Sequence, residues 1–295
     1  MKKLLSLVSL FLIIAVISIA QTDFEKIQIE TIKITDSIYM LKGAGGNIGA
    51  FICADGVLLI DTQYAPLYEK IKNVLKQLGS DNIKYVINTH WHSDHTSGNI
   101  NFAKDAPVIS HKNVRETMLH PKPIMGRDIQ PAEGAMLPSI TFDSEMTIYI
   151  NGESADLIYM PPGHTSGDSV VYFPKADVWH VGDLFFNGGY PFIDLPNGGN
   201  VIDYAADVKS LLDRMDDNVR IIPGHGALAT KKDFQNFYNV LAGTTEYIRT
   251  KMKEGKSLEE IQNEDLPDEW SSWGRGFMKN KNWIELVYRS IEAKK

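Results

Sequence analysis

The sequence has 295 residues, 43% of them hydrophobic and 23% charged, with a formal net charge of -7 at neutral pH. That is ordinary globular composition, at a length suited to one large domain or a domain with an appendage. The acidic balance and the lack of a basic stripe speak against nucleic acid as a partner, and no internal repeat or low-complexity tract stands out.

Lys2 and Lys3 precede an almost unbroken apolar run, Leu4 to Ala20, and Ser18-Ile19-Ala20 offers small residues where a signal peptidase reads. Residues 1–20 are therefore expected to be a secretory signal peptide, cut after Ala20. The mature chain would then be periplasmic or secreted, with no stable membrane insertion. The run approaches spanning length, so a retained anchor is the rival reading. Polar Gln21-Thr22-Asp23 favours cleavage, and no cysteine follows the cut to carry a lipid. Cys53, the only cysteine, has no partner for an internal disulfide even in an oxidising compartment and reads as a small buried hydrophobe.

From residue 26 to 60 the pattern is of successive strands. Ile27, Ile29, Ile32 and Ile34 are spaced for strands with a break, followed by Ser37 to Leu41, residues 47 to 53, and Val57 to Ile60. Gly43, Gly45, Gly46, Asp55 and Gly56 supply turns. Pro66 to Leu78 is a helix by spacing, with Gly79 as its stop. Ile83 to Asn88 is a β-branched-rich strand. Ser97 to Ala103 reads as a short helix, Pro107 to Ser110 as a strand, and His111 to Leu119 as a helix. From His120 to Pro138 prolines and glycines break any period, and Met125, Met136 and Leu137 are candidates to cover a pocket. A second strand set follows at Met146 to Ile150, Ala155 to Met160, Ser169 to Phe173 and Asp177 to Val181. Val201 to Met215 is helical, Val219 to Ile222 is a short strand, and the chain is helical from about residue 231. Strands, helices, strands and helices in that order predict two packed sheets flanked by helices, in one α/β domain over 21–295.

Between the strand at 83–88 and the turn-like Thr96-Ser97-Gly98-Asn99 stands Thr89-His90-Trp91-His92-Ser93-Asp94-His95. Three imidazoles and a carboxylate within six residues, at the carboxyl end of a strand, are metal-ligand chemistry in the position where open α/β sheets place their sites. Packing alone does not explain them, because unpaired buried imidazoles and carboxylates are costly. Alternating His90 and His92 are suited to one metal, and Asp94 with His95 to a second. Three later sites also follow strands: His164 in Pro161-Pro162-Gly163-His164-Thr165-Ser166-Gly167-Asp168, Asp183 in Val181-Gly182-Asp183, and His225 in Pro223-Gly224-His225-Gly226.

His90-x-His92-x-Asp94-His95, followed by His164, Asp183 and His225, resembles the metallo-beta-lactamase superfamily of metallohydrolases. The resemblance covers roughly residues 25 to 230. It implies a four-layer αββα sandwich with two metals at one edge. Carried over residue by residue, His90, His92 and His164 hold one metal, Asp94, His95 and His225 hold the other, and Asp183 bridges them. It implies Zn2+, two per chain, and a metal-bridging hydroxide that attacks an ester, lactone, thioester or amide bond, with Asp94 orienting it and passing on a proton. Nitrogen and oxygen donors also suit iron and manganese.

Asp183 stands where two beta-lactamase subclasses use cysteine, and the third subclass lacks a bridging aspartate. The set is closer to glyoxalase II and lactonases, and Gly182 to Asp194 is similar to exported hydrolases of poorly defined substrate. Beta-lactam hydrolysis remains as a side activity. The alternatives are a mononuclear iron enzyme like the sulfur dioxygenases and a non-catalytic metal-binding accessory protein. Asp61, ending an early strand, is a candidate hydrogen-bond acceptor from a ligand histidine. Trp91 is placed either in the site wall or in the core. Phe185, Phe186, Tyr190 and Phe192 are candidates for the substrate mouth, and Asn187 and Tyr190 for polar contacts to a small-molecule substrate. His111, His120 and His180 read as structural or surface residues.

Overall fold

Every residue of the run Gly56–Ile60 is buried, and its two faces lead into different layers. Leu58 and Ile60 point into a core shared with Leu157, Val171 and Phe173. Val57 and Leu59 point the other way, into a core with Leu67, Ile71 and Leu75. Side chains alternate along a strand, so a continuous apolar run is what a strand covered on both faces requires. In the computed structural model, which describes residues 22–294, this strand is the centre of a seven-stranded sheet. The signal peptide expected at residues 1–20 lies outside the described residues. Among the described residues no helix is long and apolar enough to cross a membrane.

The first sheet runs in chain order: β1 (Glu30–Lys33), β2 (Ile38–Lys42), β3 (Ile48–Cys53), β4 (Gly56–Ile60), β5 (Ile83–Ile87), β6 (Val108–His111) and β7 (Ile140–Phe142). The pairs from β1 to β4 are antiparallel, and those from β4 to β7 are parallel. The second sheet contains β8 (Glu145–Ile150), β9 (Glu153–Tyr159), β10 (Ser169–Phe173), β11 (Val178–His180), β12 (Arg220–Ile222) and β13 (Ala229–Thr230), in the order β13-β12-β11-β10-β9-β8. Here β11 and β12 are parallel.

Helix α1 (Tyr68–Gln77) forms the crossover from β4 to β5 and covers the outer face of the first sheet through Ile71 and Leu75. The one-turn helices α2 (Ser93–Thr96) and α3 (Asn99–Phe102) follow β5, and α4 (Lys112–Leu119) follows β6. Helix α5 (Val201–Arg214) crosses from β11 to β12. Beyond β13 come α6 (Lys231–Lys253), α7 (Leu258–Glu264), α8 (Asp268–Ser271) and α9 (Asn280–Glu292). A reciprocal capping box between Thr230 and Asp233 starts α6. Tyr204, Val208, Phe234, Phe237 and Trp283 from these helices pack on the outer face of the second sheet. The layers are helix, sheet, sheet, helix, as expected from the sequence.

Three local expectations need correction. Ile27 and Ile29 precede the first strand, which spans only Glu30–Lys33 and is mostly exposed. The helix expected over Ser97 to Ala103 is only the single turn Asn99–Phe102, and a separate turn, Ser93–Thr96, precedes it. Gly98 separates them because its backbone lies against Thr62, and its N–H donates to the Gln63 carbonyl at 2.9 Å. Strand β7 was not anticipated. It has three residues, two of them exposed, and so carries no apolar pattern to read.

Candidate metal centre

The carboxyl ends of β4, β5, β9, β11 and β12 converge on one edge of the sandwich, and each leads into a loop with a predicted site residue. Asn47 ties the two sheets together there. Its amide N–H donates to Gly224 O at 2.7 Å and its side chain donates to Pro223 O at 2.8 Å, which holds the His225 loop against the first sheet. A Cβ at Gly46 would run into the His95 ring, and one at Gly224 into the Asp183 carboxylate, so both positions require glycine for close approach.

All seven residues singled out in the sequence meet at this edge. Donor atoms of His90, His92, His164 and Asp183 form one group and those of Asp94, His95 and His225 a second, each within 4.8 Å. Asp183 joins them. Its Oδ2 lies 3.3 Å from His164 Nε2 and 3.7 Å from His90 Nε2, while its Oδ1 lies 3.1 Å from His95 Nε2 and 3.4 Å from His225 Nε2. Asp94 Oδ2 lies 3.3 Å from His225 Nε2 and 3.6 Å from His95 Nε2.

Hydrogen bonds on the far side of the rings determine which nitrogen faces inward. The Asp61 carboxylate accepts from Thr89 N–H at 2.9 Å, from Thr89 Oγ1 at 2.8 Å, and from His95 Nδ1 at 2.8 Å. This is the acceptor role anticipated for Asp61. With its single hydroxyl proton given to Asp61, Thr89 Oγ1 accepts from His90 Nδ1 at 3.0 Å. His164 Nδ1 donates to Phe192 O at 2.7 Å, and His92 Nε2 donates to Asp194 Oδ2 at 3.0 Å. Asp168 fastens the His164 loop by accepting from the His164 and Thr165 N–H groups. In the neutral form that binds a cation, His90, His95 and His164 would present Nε2 lone pairs and His92 its Nδ1.

Two of the inward-facing atoms lack protein partners, and two others face each other. His90 Nε2 and Asp183 Oδ1 are buried without a hydrogen bond, and His92 Nδ1 faces His164 Nε2 at 2.8 Å, two acceptors that repel unless a cation or proton lies between them. Inward-facing imidazole lone pairs around a carboxylate fit a divalent cation.

Electrostatics separates the rings. Burial, reinforced by His95, pushes His90 well below the usual imidazole range, and burial holds His164 down to about 4. Burial also opposes charge on His95 and His225, but Asp183 and Asp94 outweigh it, raising His95 well above the usual value and His225 to about 9. For Asp94, His95 and His225 overcome burial and lower it to about 2. Asp94 is thus an anion throughout the neutral range.

A cavity of about 570 Å³ opens above the centre, with His92, Asp94, Asp183 and His225 at its floor. Phe186 and Phe192 line it as expected, and Phe186 stacks on His225 at 4.9 Å. Phe185 belongs to the core against Phe234 and Phe237. Tyr190 also borders the cavity, but it is 4% exposed and its hydroxyl donates to Trp270 O at 2.8 Å, so the hydroxyl is committed to the fold rather than free for a substrate. Asn187 borders the cavity but donates to Ala227 O at 2.9 Å. Trp91 is core, packed behind His92 with Val114 and Met118. Met125 reaches the cavity, whereas Met136 and Leu137 pack beside Trp91's cluster. His111 and His180 are buried structural rings and His120 is exposed, in line with expectation.

Sequence reasoning missed Asp194, Tyr64 and Phe277. Asp194 orients His92, and the other two line the cavity. Nothing local marks them. Only the folded chain brings them to the site.

Comparison with known proteins agrees with this geometry. The chain is 24% identical over 159 residues to the alpha subunit of 2,4-dinitroanisole O-demethylase from Nocardioides sp., covering 52% of this chain and 44% of that protein. It is 29% identical over 148 residues to hydroxyacylglutathione hydrolase from Crocosphaera subtropica, covering 50% and 47%. The matches thus span about half the length of these relatives. The fold is shared with a metallo-beta-lactamase from Pontibacter korlensis, with a TM-score of 0.59 at 19% identity over 73% of this chain and 99% of that one. Residues 45–225, more than half of the sequence and including all seven converging residues, match the family model of the metallo-beta-lactamase superfamily, and the chain belongs to that superfamily.

Proposed function

We propose that the protein is a zinc-dependent hydrolase that cleaves an ester, lactone, thioester or amide bond, with weak beta-lactam cleavage as a side activity. One observation carries the reading: Asp183 turns one oxygen toward His90 and His164 and the other toward His95 and His225. His90, His92 and His164 would hold one zinc, Asp94, His95 and His225 the other, and Asp183 would bridge them. Bound there, the pair of cations supplies acidification of water toward neutral pH and charge stabilisation for an acyl oxygen.

The chain's own groups handle the proton. Asp94 is anionic and borders the cavity, so it can accept a proton from the attacking water. As the water oxygen bonds to the acyl carbon, the bond from that carbon to the leaving oxygen, sulfur or nitrogen breaks, and Asp94 returns the proton to the leaving atom. Phe186 and Phe192 exclude bulk water from the walls. The signal peptide reading of residues 1–20 supports export, which amino-terminal sequencing of the chain recovered outside the cytoplasm would test.

The test is elemental analysis of the purified chain beside a panel of an ester, a lactone, a thioester and a chromogenic beta-lactam. Zinc at two per chain, with turnover that Asp94→Ala abolishes while metal is retained, supports the reading. One iron without hydrolysis, no tightly bound metal, or turnover surviving Asp94→Ala overturns it.

A further inference from the structure

The cavity has a floor of histidines and aspartates and an apolar rim. Its upper wall is built by Tyr64, Ile124, Met125, Phe192 and Phe277, and among the described residues no lysine or arginine lines it. Two of these residues stand out. Met125 is 61% exposed and Phe277 is 74% exposed, which puts both among the most exposed large hydrophobic side chains described. They come from chain segments far apart, the proline-rich loop after α4 and the link between α8 and α9, yet they border one opening.

The backbone holds Met125 in place at some cost. Ile124 and Arg127 exchange two hydrogen bonds, at 3.0 and 2.9 Å, around Met125 (φ 49°) and Gly126 (φ 75°). This is a tight turn with both central residues left-handed, where asparagine or glycine is the usual first residue. A methionine there gains neither backbone ease nor burial. Strain held at a cavity mouth points to use of the side chain.

We infer that Met125 and Phe277 grip an uncharged apolar chain on the acyl side of the substrate, so that the preferred substrates are neutral medium-chain acyl esters or lactones. This rests on the hydrolase reading above. The volume suits a small molecule rather than a protein segment. With no lysine or arginine among the described residues of the wall, an anionic tail lying there would find no cation to hold it. Cations bound at the floor would meet the reacting carbonyl, which leaves the rest of the substrate against apolar walls.

The experiment uses the zinc-loaded chain and nitrophenyl esters from acetate to octanoate, with a matched eight-carbon ester ending in a carboxylate. Expected is a rise in kcat/KM of about threefold per added methylene, with the carboxylate-ended ester at least tenfold poorer than octanoate. Met125→Gly relieves the left-handed position, so its Tm should hold or rise while its octanoate-to-acetate ratio falls about tenfold. Phe277→Ala at an exposed site should lower the same ratio. Binding of hexyl phenyl ether, which cannot be hydrolysed, to the metal-free protein gives a second readout, and both variants should weaken it. A flat chain-length series, preference for the charged ester, or ether binding that is absent or indifferent to both substitutions overturns the inference. If neither these esters nor the lactone, thioester and beta-lactam of the panel above are cleaved with two zinc ions bound, the hydrolase reading fails, and ether binding alone decides the rim.

Discussion

Asp194 accepts a hydrogen bond from Nε2 of His92 at 3.0 Å, across 102 positions of the chain. Asp194 is fully buried and is itself held by the Asn197 side chain at 2.9 and 3.0 Å. The pairing fixes the tautomer in which His92 offers Nδ1 to the centre. Asp194→Asn keeps the shape but removes the charge, and Asp194→Ala frees the ring. Losses in metal affinity of about 10- to 100-fold are expected for the alanine variant, and smaller losses for asparagine. Titration against a competing chelator measures both. Unchanged affinity in the alanine variant would remove Asp194 from the site.

Metal loading should be coupled to protons. In the metal-free chain the neighbouring carboxylates outweigh burial, so that His225 titrates at about 9 and His95 is raised well above its usual value. Both rings are therefore protonated at pH 7, and a ring nitrogen must lose its proton to bind a cation. Loading at pH 7 is expected to release about two protons per chain, and affinity should climb as the pH rises toward 9. Calorimetry in buffers of differing ionisation enthalpy counts the protons. Release of none at pH 7 contradicts the charge state assigned to the two rings.

The donor set was legible because its spacing is local. His90, His92, Asp94 and His95 sit in one loop, and His164, Asp183 and His225 each stand beside glycines just after a strand pattern. The layers were legible from the order of strands and helices, and the structure adds the reason, since the run Gly56–Ile60 is buried on both faces. Asp194, Tyr64 and Phe277 were not, since each acts through a partner far away in sequence. Met136 and Leu137 show the reverse error. Their loop does border the cavity, but only at Ile124 and Met125, while these two pack with Trp91.

Tyr190 borders the cavity, yet its hydroxyl is committed to the fold. Its ring stacks on Trp283 at 5.0 Å with planes 9° apart, and its hydroxyl donates to Trp270 O at 2.8 Å. Tyr190→Phe keeps the stack and loses the hydrogen bond, at an expected cost of about 0.5–1.5 kcal/mol. Tm should fall while kcat/KM stays within about twofold. A tenfold loss of kcat/KM at unchanged Tm would return the hydroxyl to the substrate.

Asp207 on α5 is a buried carboxyl whose Oδ2 has no hydrogen-bond partner. Burial, helped by Asp168 and Asp203, pushes it up to about 8. The unfolded chain ionises an aspartate near pH ~3.9. Between those values the folded state holds a proton that the unfolded state has lost, so this group's contribution to stability falls as pH rises through the window. Above pH 8 the folded protein carries a buried, unpaired charge. Asp207→Asn cannot ionise and should erase this dependence. Relative to the parent, its Tm is expected to be higher at pH 9 than at pH 5, by about 2–4 °C for each ~1 kcal/mol of linkage between those two pH values. Melting curves at both pH values check it. An equal change at pH 5 and pH 9 would mean that packing, not charge, governs this position.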